Sequence, residues 1–184
     1  MDYPYLLSQF RAMPERLRAL AAGLSPQQAR YKPSADVAIA QQSPESNAQH
    51  LSWSVLEVLN HLVDEEIHDF RSHLDFILHQ AGNQWEAIDP QGWVTERKYN
   101  ERDLQATLDN FQRERAASIA WLDSLGDIDW ETPYVSEFGT MRAGDMFACW
   151  VAHDGLHLRQ LAELHRALLE QAVGDYDVSY AGEW

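Results

Sequence analysis

Cysteine is almost missing from this chain: Cys149 is the only one in 184 residues. No intrachain disulfide can form, which fits a reducing compartment and an expected cytoplasmic location. Basic residues are also scarce, 14 Lys plus Arg against 29 Asp plus Glu, for a formal net charge of −15. A chain this acidic repels phosphate backbones and anionic lipid, so neither nucleic acid nor membrane is an expected partner. No apolar stretch is long enough to span a bilayer, and the N-terminal MDYPYLLSQFRAMPERL has no apolar run of the signal-peptide kind. Strongly alternating strand patterns are missing as well. Hydrophobic residues nevertheless make up 45% of the chain, which argues for one folded domain over residues 1–184 with a proper core.

Helical periodicity fills that frame. Four segments carry apolar residues at three- and four-residue spacing: about Tyr5 to Gly23, Ser52 to Gln80, Glu101 to Leu125 and Arg142 to Ala172. Pro14 interrupts the first and is expected to kink it. Ser52 and Thr140 are the expected N-caps of the second and fourth; Gly82, Gly126 and Gly174 are the expected stops. The connection from Leu24 to Leu51 is long and rich in Gln, Ser, Ala and Pro. The one from Gly82 to Asn100 carries Trp85, Trp93 and Tyr99. In the third, Tyr134, Val135 and Phe138 suit a short extended turn. Four long helices without strands predict an all-α fold, an antiparallel four-helix bundle with long connecting loops.

Histidine placement carries the chemistry. His153 and His157 are four apart in AHDGLHLRQLAEL, so both rings share one helix face. His61 lies between Leu59 and Leu62 on the apolar stripe of the second helix. Inward histidines are costly unless hydrogen-bonded or metal-bound, and three of them form a metal site with an open position. Cys149, in the apolar stretch MFACWVA, is expected to be a buried inert thiol. It also lies four residues before His153 and is the candidate fourth ligand of a closed structural site. His68 and His165 are spaced to approach the cluster; His50, His73 and His79 look like loop or solvent-face residues. A di-iron reading rests on Glu65-x-x-His68 and Asp154-x-x-His157 with Glu15 and Glu114, but neither of those glutamates falls on an apolar stripe.

With WSVLEVLNHLVD followed later by HDGLHLRQ, the chain resembles the DinB/YfiT-like superfamily of metalloenzymes, by helix order and spacing over most of its length. The resemblance implies a divalent metal, nickel or zinc, on His61, His153 and His157, with solvent completing the shell. Asp64 matches a frequent family position. Gln160 matches the Gly-Gln that follows the last ligand in many members, while Arg159 replaces the glycine. Family activities include metal-dependent hydrolysis, transfer of low-molecular-weight thiols and thiol-assisted isomerisation. The resemblance thus implies a metal-dependent hydrolase or thiol S-transferase acting on a small molecule, with a low-molecular-weight thiol as a second cofactor in the transferase case. The alternative is a metal-stabilised binding or stress-response protein without turnover.

Further roles follow from spacing. Glu65, one turn past His61, is the candidate catalytic group, orienting water or acting as base. Asp64 or Asp154 is placed to hold a ligand histidine's second nitrogen. Trp53, Trp150 and the aromatic connection 85–99 are candidates for a pocket wall. A homodimer is expected from the resemblance, from the large apolar residues on the long helices, and because two-fold dimers are the commonest assembly.

Overall fold

A computed structural model describes residues 1–33, 53–79, 85, 87–136 and 139–182. Helix α1 runs Tyr3–Ala21, capped by the Asp2 side chain on the Tyr5 amide. A short α2, Pro26–Ala29, lies in the long connection after α1; residues 34–51 of that connection lie outside the described part. Helix α3, Val55–Asp64, passes into a π turn, Glu65–Phe70, and on into α4, Arg71–His79. Its cap is Ser54 rather than Ser52, which is not among the described residues. The Ser54 hydroxyl accepts from the Glu57 amide, and the Glu57 carboxylate accepts from the Ser54 amide, so two orphan amides are satisfied together. Helix α5, Pro90–Glu96, and a 3-10 turn, Tyr99–Glu101, occupy the aromatic connection. Helix α6 is Leu104–Ser124. An antiparallel hairpin, β1 Pro133–Ser136 and β2 Gly139–Arg142, pairs Tyr134 with Met141; Phe138, also assigned to that turn, is outside the described residues. Helix α7, Ala143–Val173, is capped at Arg142 by Asp145, not at Thr140, which belongs to β2. It ends at Gly174, whose φ of +62° suits glycine.

Four long helices, α1, α3–α4, α6 and α7, make the bundle, and side-chain contacts give its order. Arg11 and Arg18 of α1 reach Asp123 and Asp109 of α6, so those helices are antiparallel. Asn60 and Glu66 meet Thr107 and Arg115, so the α3 helix and α6 run parallel. Phe10 packs on Phe147 and Leu20 takes His165, so α1 and α7 are also parallel. His61 faces His157 while Phe70 stacks on Trp150, so the α3 helix and α7 are antiparallel. Each helix thus has one parallel and one antiparallel neighbour, and the chain runs up, down, down, up. Helices consecutive at the first and last connections sit diagonally, and the middle connection must return the length of the bundle. That geometry is why the connections are long.

Two apolar clusters fill the interior. One holds Met13, Leu17, Leu59, Leu62 and Phe111; the other holds Phe10, Phe70, Leu74, Phe147 and Trp150. Where they meet lies Arg115, 1% exposed. Its guanidinium makes five hydrogen bonds, two to Glu66, two to Asp154 and one to the Phe10 carbonyl, using every N–H it has. It also lies 3.6 Å over the Phe10 ring. The Phe10 carbonyl is available because the residue four positions later is Pro14, which has no N–H to give it. Pro14 thus sits inside an unbroken α1 and opens a tie from that helix to the other three.

Removing one partner of a buried ion cluster leaves uncompensated charge, at a cost of about 3–5 kcal/mol. Arg115→Met is expected to lose that much in urea unfolding, and adding Glu66→Gln and Asp154→Asn is expected to recover part of it. A loss below about 1 kcal/mol would show that Glu66 and Asp154 do not depend on Arg115.

Candidate metal centre

Three ring nitrogens converge between α3 and α7. The His61 Nε2 is 3.1 Å from the His157 Nε2 and 3.4 Å from the His153 Nε2; the His153 and His157 Nε2 atoms are 3.1 Å apart. His61 and His157 are buried and His153 is partly exposed. The donor set suits a metal. Ligands about 2.0–2.1 Å from a tetrahedral ion stand about 3.3–3.4 Å from one another, close to the triangle observed. Among the described residues the cluster stops at these three.

Neighbours orient the rings. The His157 Nδ1–H donates to the Gln160 Oε1 at 2.7 Å, which leaves Nε2 as the donor atom toward the centre. The Glu65 Oε1 lies 3.7 Å from the His61 Nδ1, with both side chains about 5% exposed. The Trp53 ring packs 4.9 Å from His61 and Phe70 5.0 Å from His153.

Several other expected roles fall elsewhere. Asp64 accepts from the Tyr99 hydroxyl and pairs with Arg97 at 2.7 Å, and Asp154 is held by Arg115. These carboxylates face the helix contacts, and the hydrogen bond that orients a histidine of the cluster comes from Gln160. Trp150 is core, its Nε1–H donating to Glu66. Of the aromatic connection, Trp85 stacks on His73, Trp93 lies under Arg97, and Tyr99 is buried.

Cys149 is exposed, neither a buried thiol nor a member of the cluster; it is on the outer face of α7, with Ala152 and Gly155 also exposed. His68 is exposed at the edge of Trp93, and His165 bonds the Leu20 carbonyl; neither joins the site. His79 is half-exposed beside Asp75, as a solvent-face residue should be, and His50 is outside the described residues. His73 corrects its assignment: it is 2% exposed, with its Nδ1 2.6 Å from Asp69. The di-iron arrangement does not assemble, because Glu114 pairs with Arg71 and Asp154 with Arg115.

The sequence profile of the DinB superfamily matches residues 9–161. The chain belongs to that superfamily. Among solved structures it is similar to YfiT from Bacillus subtilis, described as a probable metal-dependent hydrolase with an unusual four-helix bundle topology. The TM-score is 0.71 at 15% identity, covering 90% of this chain and 86% of that one; at this identity the likeness is one of fold. No curated protein matches the chain.

In this DinB member the carboxyl next to His61 is unusual. Burial pushes the Glu65 carboxyl up to about 9, helped by its hydrogen bond to Asp69 and by the charges of Asp69 and Asp64. At neutral pH, without metal, it keeps its proton and donates to Asp69. The folded state holds this proton between the ordinary value of 4.5 and about 9, while the unfolded chain does not, so wild-type stability falls as pH rises through that window. Glutamine does not titrate. Metal-free Glu65→Gln should therefore gain on the wild type between pH 5 and pH 8.5 in chemical denaturation; a difference that stays constant over that range would refute the buried proton.

Proposed function

We propose that His61, His153 and His157 hold one divalent ion, nickel or zinc, in an open site, and that the protein is a metal-dependent enzyme acting on a small molecule. The observation that carries this is the triangle of Nε2 atoms with metal-ligand spacing, one edge of which, His153, reaches solvent. Membership of the DinB superfamily supports it. When bound, such an ion supplies Lewis acidity to a water or a thiol beside it. Hydrolysis and transfer of a low-molecular-weight thiol both use that chemistry, and the description of YfiT agrees with hydrolysis.

The chain's own residues divide the remaining work. Gln160 fixes the His157 ring. Glu65, buried and 3.7 Å from His61, is the candidate to orient water or act as base; a nearby divalent charge would draw its carboxyl toward the ionised form that role needs. Trp53 and Phe70 keep apolar walls against two of the rings. Exposed Cys149 leaves no sulfur ligand to close the site.

The ligands come from two helices, so metal binds only the folded chain. At a hundredfold excess over its Kd the ion is expected to add about 2.7 kcal/mol to stability, and His153→Ala with His157→Ala should abolish both binding and the rise in Tm. Cys149→Ser should leave affinity within about twofold while azide or a thiol perturbs the cobalt spectrum. Unchanged metal content in the double variant would remove the site. A cobalt spectrum blind to added ligand would make this a metal-stabilised binding protein instead.

We also infer a homodimer and a cytoplasmic setting. The apolar side chains of Leu156 and Leu169, 56% and 62% exposed on α7, support the first. A lone exposed thiol supports the second. Among the described residues no helix is long and apolar enough to cross a membrane. Sedimentation at micromolar concentration should give twice the chain mass of 21.1 kDa; a species at the chain mass would refute the dimer.

A further inference from the structure

Phe70 links the buried charge cluster to the one histidine of the site that reaches solvent. On one side its ring stacks on Trp150, with 5.7 Å between centroids and 10° between planes. On the other it lies 5.0 Å from the His153 ring, tilted by 52°. Trp150 is itself fixed: it is 1% exposed, its Nε1–H donates to the Glu66 Oε2 at 3.2 Å, and Phe10 meets it edge-on at 4.8 Å. Glu66 is held by two hydrogen bonds from Arg115, at 2.9 and 2.8 Å. Every step from Arg115 to the His153 ring is therefore a direct contact. Phe70 comes nine residues after His61. Nine residues of regular α-helix would leave the two about 180° apart around the axis. The π turn over Glu65–Phe70 takes up about one residue more, which is about 100° of rotation. It returns Phe70 to the side of the helix that meets α7.

We propose that Phe70 is a positioning residue of the metal centre, holding the ring of His153, and that the π turn carries it there. This rests on the metal-centre reading above. The three histidines are held by different surroundings. His61 and His157 are buried, and His157 is tied to Gln160. His153 is partly exposed, so its imidazole has more room to turn about its side-chain bonds. Such a turn swings Nε2 out of the triangle it forms with the other two. The flat face of Phe70, backed by Trp150, takes up that room. Trp150 and His153 are three residues apart on α7, and Phe70 reaches both from the facing helix. An aliphatic side chain buries similar apolar area but presents no flat face to a ring. Phe147 shows the contrast. It lies in the same apolar cluster and is fully buried, yet its ring meets Tyr3, Phe10 and Trp130, none of them in the histidine cluster.

Phe147 also supplies the control. Zinc and cobalt affinities are measured by chelator competition in wild type, Phe70→Leu and Phe147→Leu, with the Tm of each metal-free chain measured alongside. Both variants thin the same core, so both should melt below the wild type. Only Phe70→Leu is expected to weaken metal binding, by about 2- to 10-fold, the worth of one aromatic contact, and to move the visible bands of the cobalt protein. Phe147→Leu should keep the wild-type affinity and bands. If Phe70→Leu fails to fold, Phe70→Met takes its place, because a flexible thioether refills irregular space without a ring face. Wild-type affinity and bands in the position-70 variant would overturn the proposal while leaving the metal centre standing. An equal loss of affinity in Phe147→Leu would overturn it too, since general loosening of the core would then be the cause. A wild-type chain that takes up no metal defeats both readings.

Discussion

The Arg115 cluster is the constraint on which the rest of the bundle depends. One guanidinium joins α1 through the Phe10 carbonyl, the α3 helix through Glu66 and α7 through Asp154, from its own place on α6. Apolar packing alone tolerates small rotations and slips of helix against helix. Five hydrogen bonds with fixed directions do not, because each misplacement leaves a buried charge without its partner. Asp154 is the residue after His153 and three before His157. Fixing Asp154 against Arg115 therefore fixes the rotation of α7, and with it the direction of both histidine rings. Pro14 takes part from a distance by leaving the Phe10 carbonyl open.

The histidine cluster inherits this rigidity and adds an environment of its own. His157 is tied to Gln160 on its own helix, while the His61 ring packs against Trp53. The two sides of the site are thus set by different means, a hydrogen-bonded amide on one and an aromatic ring on the other. A chain of net charge −15 would seem to offer many carboxylates to a cation. Three of its buried carboxyl groups near the cluster are nonetheless committed: Glu66 and Asp154 to Arg115, Asp64 to Tyr99 and Arg97. The cluster itself is a set of three ring nitrogens, a donor type that suits borderline ions better than calcium or magnesium.

Much of this was legible in the sequence because it is periodic. A stripe such as Leu59, Leu62, Val63 and Phe70 reports a helix whatever surrounds it, and His153 with His157 report a shared face by spacing alone. Gln160 was legible through resemblance. The burial of His73 was not legible, since its position looked like a solvent face. The π turn over Glu65–Phe70 has no sequence signature either, because one extra residue per turn is a matter of backbone hydrogen bonding.

By itself, then, the sequence determined the helices, their apolar faces, two histidines on one face and a third on another. These follow from interactions between residues a few positions apart, which the chain order states directly. Tertiary structure alone decided the up, down, down, up order, the diagonal placement of consecutive helices, the burial of Arg115 and the exposure of Cys149. Each of those depends on which faces meet across 39 to 105 residues of chain, as in the contacts of Arg115 with Asp154 and Phe10. Local propensity is silent on that choice, and only the simultaneous satisfaction of buried charge and apolar surface makes it.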